Sequence, residues 1–130
     1  MSTTTSRIGA ISLVCIPTRE QDRLIDFYVE KLGFEKRVDV PMGNGYRWVE
    51  VGPAGGAATI AVVPPGPNGT AGGRETGITL DTSDADADHA ELKAKGVDVD
   101  AEVQRMGDPV PPMFWFRDPD GNSLMIVQQS

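Results

Sequence analysis

Two glycines, Gly33 and Gly96, stand 63 residues apart, each closing a stretch that reads as a helix. The same order of elements surrounds both, and a duplication of this kind limits the fold more than any single motif. In the first copy, Arg7–Pro17 is rich in Ile, Val and Leu and reads as a buried strand. Alternation divides it into Ile11, Leu13 and Cys15 on one face, with Ser12, Val14 and Ile16 on the other. Thr18 with Gln21 makes a capping-box pattern, and Leu24, Phe27, Tyr28 and Leu32 form one apolar stripe before Gly33. Glu35–Val40, Tyr46–Val51 and Ala58–Val63 follow as strands, separated by glycine-rich turns.

Residues 64–75 are crowded with Pro and Gly and read as a linker, after which the order repeats. Thr76–Thr82 is a strand. Ser83 is the expected cap of a helix over Asp84–Lys95, with Asp86 as a first-turn acid. Val97–Gln104 is a strand, 105–112 a Pro-rich loop, and the closing segment a hairpin. There, Met113–Arg117 and Ser123–Gln128 flank Asp118-Pro119-Asp120-Gly121-Asn122. Pro119 presets the first corner of a type I turn and Gly121 supplies the left-handed residue after it. The reading is therefore an α+β chain of two βαβββ modules, 7–63 and 76–128, joined by the linker 64–75 in one domain.

Three stretches in the right order carry a family resemblance. They are DRLIDFYVEKLGFEKR from Asp22 to Arg37, AELKAKGV from Ala90 to Val97, and RDPDGN from Arg117 to Asn122. Together they resemble the vicinal-oxygen-chelate superfamily of glyoxalase I, extradiol dioxygenases, fosfomycin-resistance enzymes and bleomycin-binding proteins. The resemblance implies two modules whose curved mixed sheets close into a cup, in a homodimer, with modules pairing either within the chain or across the dimer. It also implies a divalent metal held by residues of the first and last strands of each module.

Carried over residue by residue, those ligand positions fall on Leu13, Gly77, Met125 and one of Thr59, Ile60 or Ala61. None suits a hard or borderline divalent ion, which needs imidazole or carboxylate donors. The single histidine, His89, lies on the helix stripe that packs behind the sheet and reads as structural. The expectation is a cup without metal or other cofactor; a divalent ion would require a different strand register.

The same alternation populates the cup. Leu13, Cys15, Trp48, Glu50, Thr79, Asp81, Met113, Trp115, Arg117 and Met125 are the candidate ligand-binding residues, with no catalytic residue assigned. The two tryptophans, at matching hairpins, are placed to sandwich a planar or cationic ligand. Asp81 is expected either to pair with Arg117 or to stand near solvent at a strand end. Cys15, with no His or Lys on its strand to activate a thiolate, reads as a small buried hydrophobe.

Charge narrows the partners. The net charge is −7. Residues 1–63 hold 7 basic and 7 acidic side chains, and residues 64–130 hold 5 and 12, so the second module carries the whole imbalance. Such a surface repels nucleic acid. No apolar run approaches the roughly 18 residues that span a bilayer. The N-terminal stretch MSTTTSRIGA lacks the apolar centre of a secretory signal, so a cytoplasmic location is expected. Neither a Ser-His-Asp set nor a phosphate-cradling glycine loop is present. Three functions remain: a metal-free protein binding a small aromatic or cationic molecule, a metal-dependent lyase or dioxygenase of the glyoxalase I or extradiol type, and an interaction module whose cup is filled.

Overall fold

The computed structural model describes residues 6–67 and 69–129. The first five residues of the N-terminal stretch, Asn68 of the linker and Ser130 lie outside it. The first module runs β1 (Leu13–Pro17), α1 (Gln21–Asp26) continued by a π-helical segment (Phe27–Lys31), β2 (Glu35–Gly43), β3 (Tyr46–Gly52) and β4 (Thr59–Val63). The second runs β5 (Glu75–Thr82), α2 (Ala85–Ala94), β6 (Asp98–Val99), β7 (Met113–Arg117) and β8 (Ser123–Gln128). Each module makes one four-stranded sheet, ordered β1-β4-β3-β2 and β5-β8-β7-β6. The first strand of each runs parallel to the last, and the remaining neighbours are antiparallel. This is the expected α+β fold of two βαβββ modules with mixed sheets.

Alternation decides which face of each sheet is buried. Val49 and Val51 of β3, Ile60 and Val62 of β4, Phe114 and Phe116 of β7, and Leu124 and Ile126 of β8 all turn toward the helices. With Ile16, Leu24, Ile25, Phe27, Tyr28, Ala85 and Leu92 they form one hydrophobic core spanning both modules. The rings of Phe27 and Phe116 stack across the seam at 6.3 Å. Lys31 and Lys95 reach across to cap each other's helix, each ammonium donating to the other's backbone carbonyl at 3.1 and 3.2 Å.

The closing hairpin also belongs to this seam. Gly121 N–H donates to the Asp118 carbonyl and Gly121 has φ 81°, as the turn chemistry requires. The buried Asp118 carboxylate accepts from the Asp120 and Asn122 amides, the Asn122 side chain and the Tyr28 hydroxyl. Burial first, and then that carboxylate, push the Tyr28 hydroxyl far above the usual phenol range. Thr18 and Arg23 reach Asp120 from the first module. The linker lies against the turn as well: a side chain at Gly72 would meet the Asp120 carbonyl at 2.8 Å.

Several local expectations are corrected. Ile11 stands outside β1 and is 80% exposed. Thr18 does not open a capping box, because the Gln21 amide is taken by the Arg47 and Val62 carbonyls of the sheet; α1 starts after Glu20 with no side-chain cap. The cap of α2 is Asp84, accepting from Ala87 N–H, not Ser83. The strand expected over Val97–Gln104 pairs only at Asp98–Val99 and at an isolated Gln104–Met113 bridge. Between them Asp100 N–H still donates to the Trp115 carbonyl, but the return bond from Trp115 N–H goes to the Asp100 carboxylate, which also takes Arg117, and the ladder stops there.

The two modules differ by one residue between first strand and helix stop. Equivalent positions of the two sheets, Cys15 and Thr79 or their partners Ala61 and Met125, lie 64 residues apart, whereas Gly33 and Gly96 lie 63 apart. The π-helical turn absorbs the extra residue, so Phe34 N–H bonds back to the Tyr28 carbonyl, while Val97 N–H bonds to Leu92.

Candidate functional site

The faces turned away from the core collect the residues that alternation placed in the cup. On the first sheet, Cys15, Ala61, Glu50 and Val38 make one cross-strand row. Leu13 with Thr59, and Val40 with Trp48, lie in the rows to either side. On the second sheet, Thr79, Met125 and Trp115 make the matching row, and Asp81, Val127 and Met113 the next. Arg117 and Ser123 pair at the hairpin end. All ten candidate residues therefore lie on these two faces. Glu50, not Trp48, occupies the row that Trp115 holds in the second module, so the tryptophans are not at equivalent positions.

Within one chain these faces are open apart from Thr59 and Ala61, which are buried. Leu13, Trp48, Glu50, Met113, Trp115, Arg117 and Met125 are half-buried, and Cys15, Thr79 and Asp81 are exposed. The expectation of a buried Cys15 is corrected: its thiol is free and exposed, because no helix or strand among the described residues covers that side of β1. Among the described residues neither tryptophan stacks on another ring.

The charged groups are arranged differently on the two faces. Arg117 does not meet Asp81. Its guanidinium is held by Asp98 at 3.0 Å and Asp100 at 2.9 Å, which hold it in the second sheet. Asp81 stands at the exposed end of β5, the other of its two expected placements. On the first sheet, the Glu50 carboxylate accepts from Trp48 Nε1–H at 2.8 Å and from the Thr59 hydroxyl at 2.7 Å. Those two bonds, Trp48's first, hold the Glu50 carboxyl below the usual carboxylate range. Thr59, considered from the sequence only as a metal-ligand position, is not among the ten candidate cup residues, since its register against Glu50 depends on the length of the β3–β4 turn.

The Glu50 arrangement carries a pH consequence. A carboxyl held lower in the folded than in the unfolded state contributes stability above its unfolded pKa and loses it as pH falls through the folded value. Trp48→Phe keeps a ring and removes the indole donor. The Glu50 carboxyl is then expected to titrate closer to an ordinary glutamate, seen by NMR of the side-chain carboxyl carbon. An unchanged midpoint would show that the indole bond does not hold the charge.

His89 is structural, as expected: its Nε2 meets the Asp100 carbonyl at 2.7 Å and its ring packs edge-on against Phe114. At the positions that correspond to metal ligands, Leu13, Thr59, Ala61, Gly77 and Met125 do not make a donor set for a divalent ion. Among the described residues, no three His, Cys, Asp or Glu side chains converge as a metal site. A cavity of about 320 Å³ opens at the seam on the helix side, floored by Leu80, Leu92 and Ile126. It lies behind the second sheet, away from both tryptophans, and its rim lysines are engaged in capping. Asp81 reaches its lining, but most of its other polar groups are paired with one another, Thr82 with Asp88 and Lys95 with Glu91, and the aromatic and methionine surface lies on the open sheet faces. Among the described residues no helix is long and apolar enough to cross a membrane.

Residues 10–126 match the profile of the Glyoxalase/Bleomycin resistance protein/Dioxygenase superfamily. The chain is similar in structure to TnmS3, an antibiotic binding protein from Streptomyces sp. CB03234, with 35% identity and a TM-score of 0.83 over 97% of this chain and all of that one. It is similar also to a member of the same superfamily from Sphaerobacter thermophilus DSM 20745, at 33% identity and a TM-score of 0.84 over 94% and 98%. In sequence it is 32% identical to the uncharacterized protein YurT of Bacillus subtilis (strain 168), over 92% of this chain and 98% of that protein.

Proposed function

The chain belongs to the Glyoxalase/Bleomycin resistance protein/Dioxygenase superfamily, and we propose that within it the protein is a metal-free binder of small aromatic or cationic molecules. The observation that carries this reading is the composition of the two open faces. They present tryptophan, methionine and a few oriented polar groups where a metal enzyme of this fold needs imidazoles and carboxylates. The likeness to TnmS3, an antibiotic binding protein, supports it from a second direction.

The binding cup forms between the first-sheet face of one protomer and the second-sheet face of another, in a cytoplasmic homodimer. Both faces are uncovered in the single chain, and Val40, Met42, Tyr46, Met106 and Val110 add exposed apolar surface for a partner to cover. The exposed free thiol of Cys15 suits a reducing compartment.

Two measurements test the assignment. Light scattering with elemental analysis after dialysis is expected to give a dimer without a stoichiometric divalent ion. Zinc, nickel, iron or manganese near one equivalent would instead favour a lyase or dioxygenase. Thermal-shift titration with planar aromatic antibiotics is expected to raise the melting temperature with ligand concentration, and a panel without a single saturable shift would overturn the binding role.

A further inference from the structure

We propose that Glu50 is the specificity-determining residue of the first-sheet face: an oriented carboxylate that selects planar ligands bearing a positive charge or an N–H donor. This rests on the small-molecule reading above and names the class of molecule it takes.

The geometry begins with the neighbours of Glu50. Trp48 precedes it by two residues on the same face, and Thr59 stands beside it on β4. The indole N–H holds one carboxylate oxygen and the Thr59 hydroxyl the other. An ionised carboxylate has roughly four lone-pair sites, so each oxygen keeps acceptor capacity for a ligand. Directly across the row stands Ala61, fully buried and with no polar group to compete for the carboxylate. The carboxylate is thus fixed before a ligand arrives, without spending the capacity that would receive one.

Among the described residues no ion pair ties it up. Arg37 is near enough for its charge to favour the ionised carboxylate, but its guanidinium donates to the carbonyls of Pro53 and Gly56 and leaves the Glu50 oxygens unpaired with a cation. Arg117, on the other open face, is held by Asp98 and Asp100. Asp81 adds an exposed carboxylate to that second face. The open faces therefore present free negative charge and tethered positive charge. An indole beside a carboxylate suits an aromatic cation twice over, through stacking and through the ion pair. An anion of the same shape would meet Glu50 without a compensating donor.

A purely structural Glu50 would matter to folding and be indifferent to ligand charge. The test therefore compares three planar probes against the intact protein by quenching of tryptophan fluorescence. The probes are 9-aminoacridine, a cation with an amino donor; acridine at mildly alkaline pH, neutral and without a donor; and anthraquinone-2-sulfonate, an anion. Wild type is expected to bind 9-aminoacridine about tenfold or more tighter than acridine, as for one charge-assisted hydrogen bond. The sulfonate should bind weakest. Glu50→Gln is expected to bring the first two affinities together, by weakening 9-aminoacridine about tenfold more than acridine, with the melting temperature followed in parallel.

Equal affinities of wild type for the cation and the neutral ring, or tightest binding of the sulfonate, would overturn the role of Glu50 while leaving the binding role standing. So would a preference for 9-aminoacridine that survives Glu50→Gln. Saturable binding by none of the three would remove both. If Glu50→Gln folds poorly, Asp81→Asn takes its place: the preference for 9-aminoacridine is expected to survive it, and loss of the preference there would move the role from Glu50 to Asp81.

Discussion

Asp118→Ala is expected to cost about 3–5 kcal/mol of stability, more than any single substitution on the open faces. Its carboxylate accepts four hydrogen bonds from donors with no alternative partner in sight: two turn amides, the Asn122 side chain and the Tyr28 hydroxyl. Asn122 and Tyr28 are fully buried, so truncation strands their polar groups away from water. Tyr28→Phe removes only one of the four donors and keeps the ring against Phe27 and Phe34, so about 1–2 kcal/mol is expected. Because Tyr28 and Asp118 belong to different modules and share one core, both variants should unfold in a single transition. Urea denaturation of the three proteins reads all of this. An Asp118→Ala loss no larger than that of Tyr28→Phe, or separate transitions for the two modules, would contradict the seam as described.

The hairpin that contains Asp118 was legible from its residues because its determinants are local. Pro119 and Gly121 fix the turn, the turn fixes the register, and the register sends Phe114 and Phe116 to the core and Trp115 and Met125 to the other face. The duplication was legible for the same reason, since each module carries its own strands, helix and stop. What failed depended on partners distant in sequence. Gln21 reads as a capping residue until Arg47 and Val62 compete for its amide. Val97–Gln104 reads as one strand until Asp100 turns its carboxylate onto Trp115 and Arg117. Arg117 could not be assigned between Asp81 and other acids, because the choice rests on where β6 ends. For the site, alternation identified which side chains share a face, but whether a face is covered is a property of the packing. That is why Cys15 was expected to be buried, and why Thr59, the second donor to Glu50, was missed as a partner.

Trp115→Ala is expected to weaken binding of a planar ligand by about 2 kcal/mol, or roughly 30-fold, while costing less stability than a core substitution. The expectation follows from its place in the sheet. Trp115 sits directly across from Met125, and both face away from the buried Phe114, Phe116, Leu124 and Ile126. Its backbone is fixed by β8 on one side and by Asp100 on the other, so removing the indole leaves the strand in place. Trp115 is only half-buried in the chain, so its truncation creates no sealed cavity of the kind that makes a core deletion costly. Phe116→Ala supplies the contrast. That ring is fully buried and stacks on Phe27, and its loss should cost about 3–5 kcal/mol without a direct effect on ligand contacts. Titrating 9-aminoacridine against wild type and both variants, with urea unfolding of each, separates the two roles. If Trp115→Ala destabilised the protein as much as Phe116→Ala and left affinity intact, the face carrying Trp115 would be packing surface and not a wall of the binding cup.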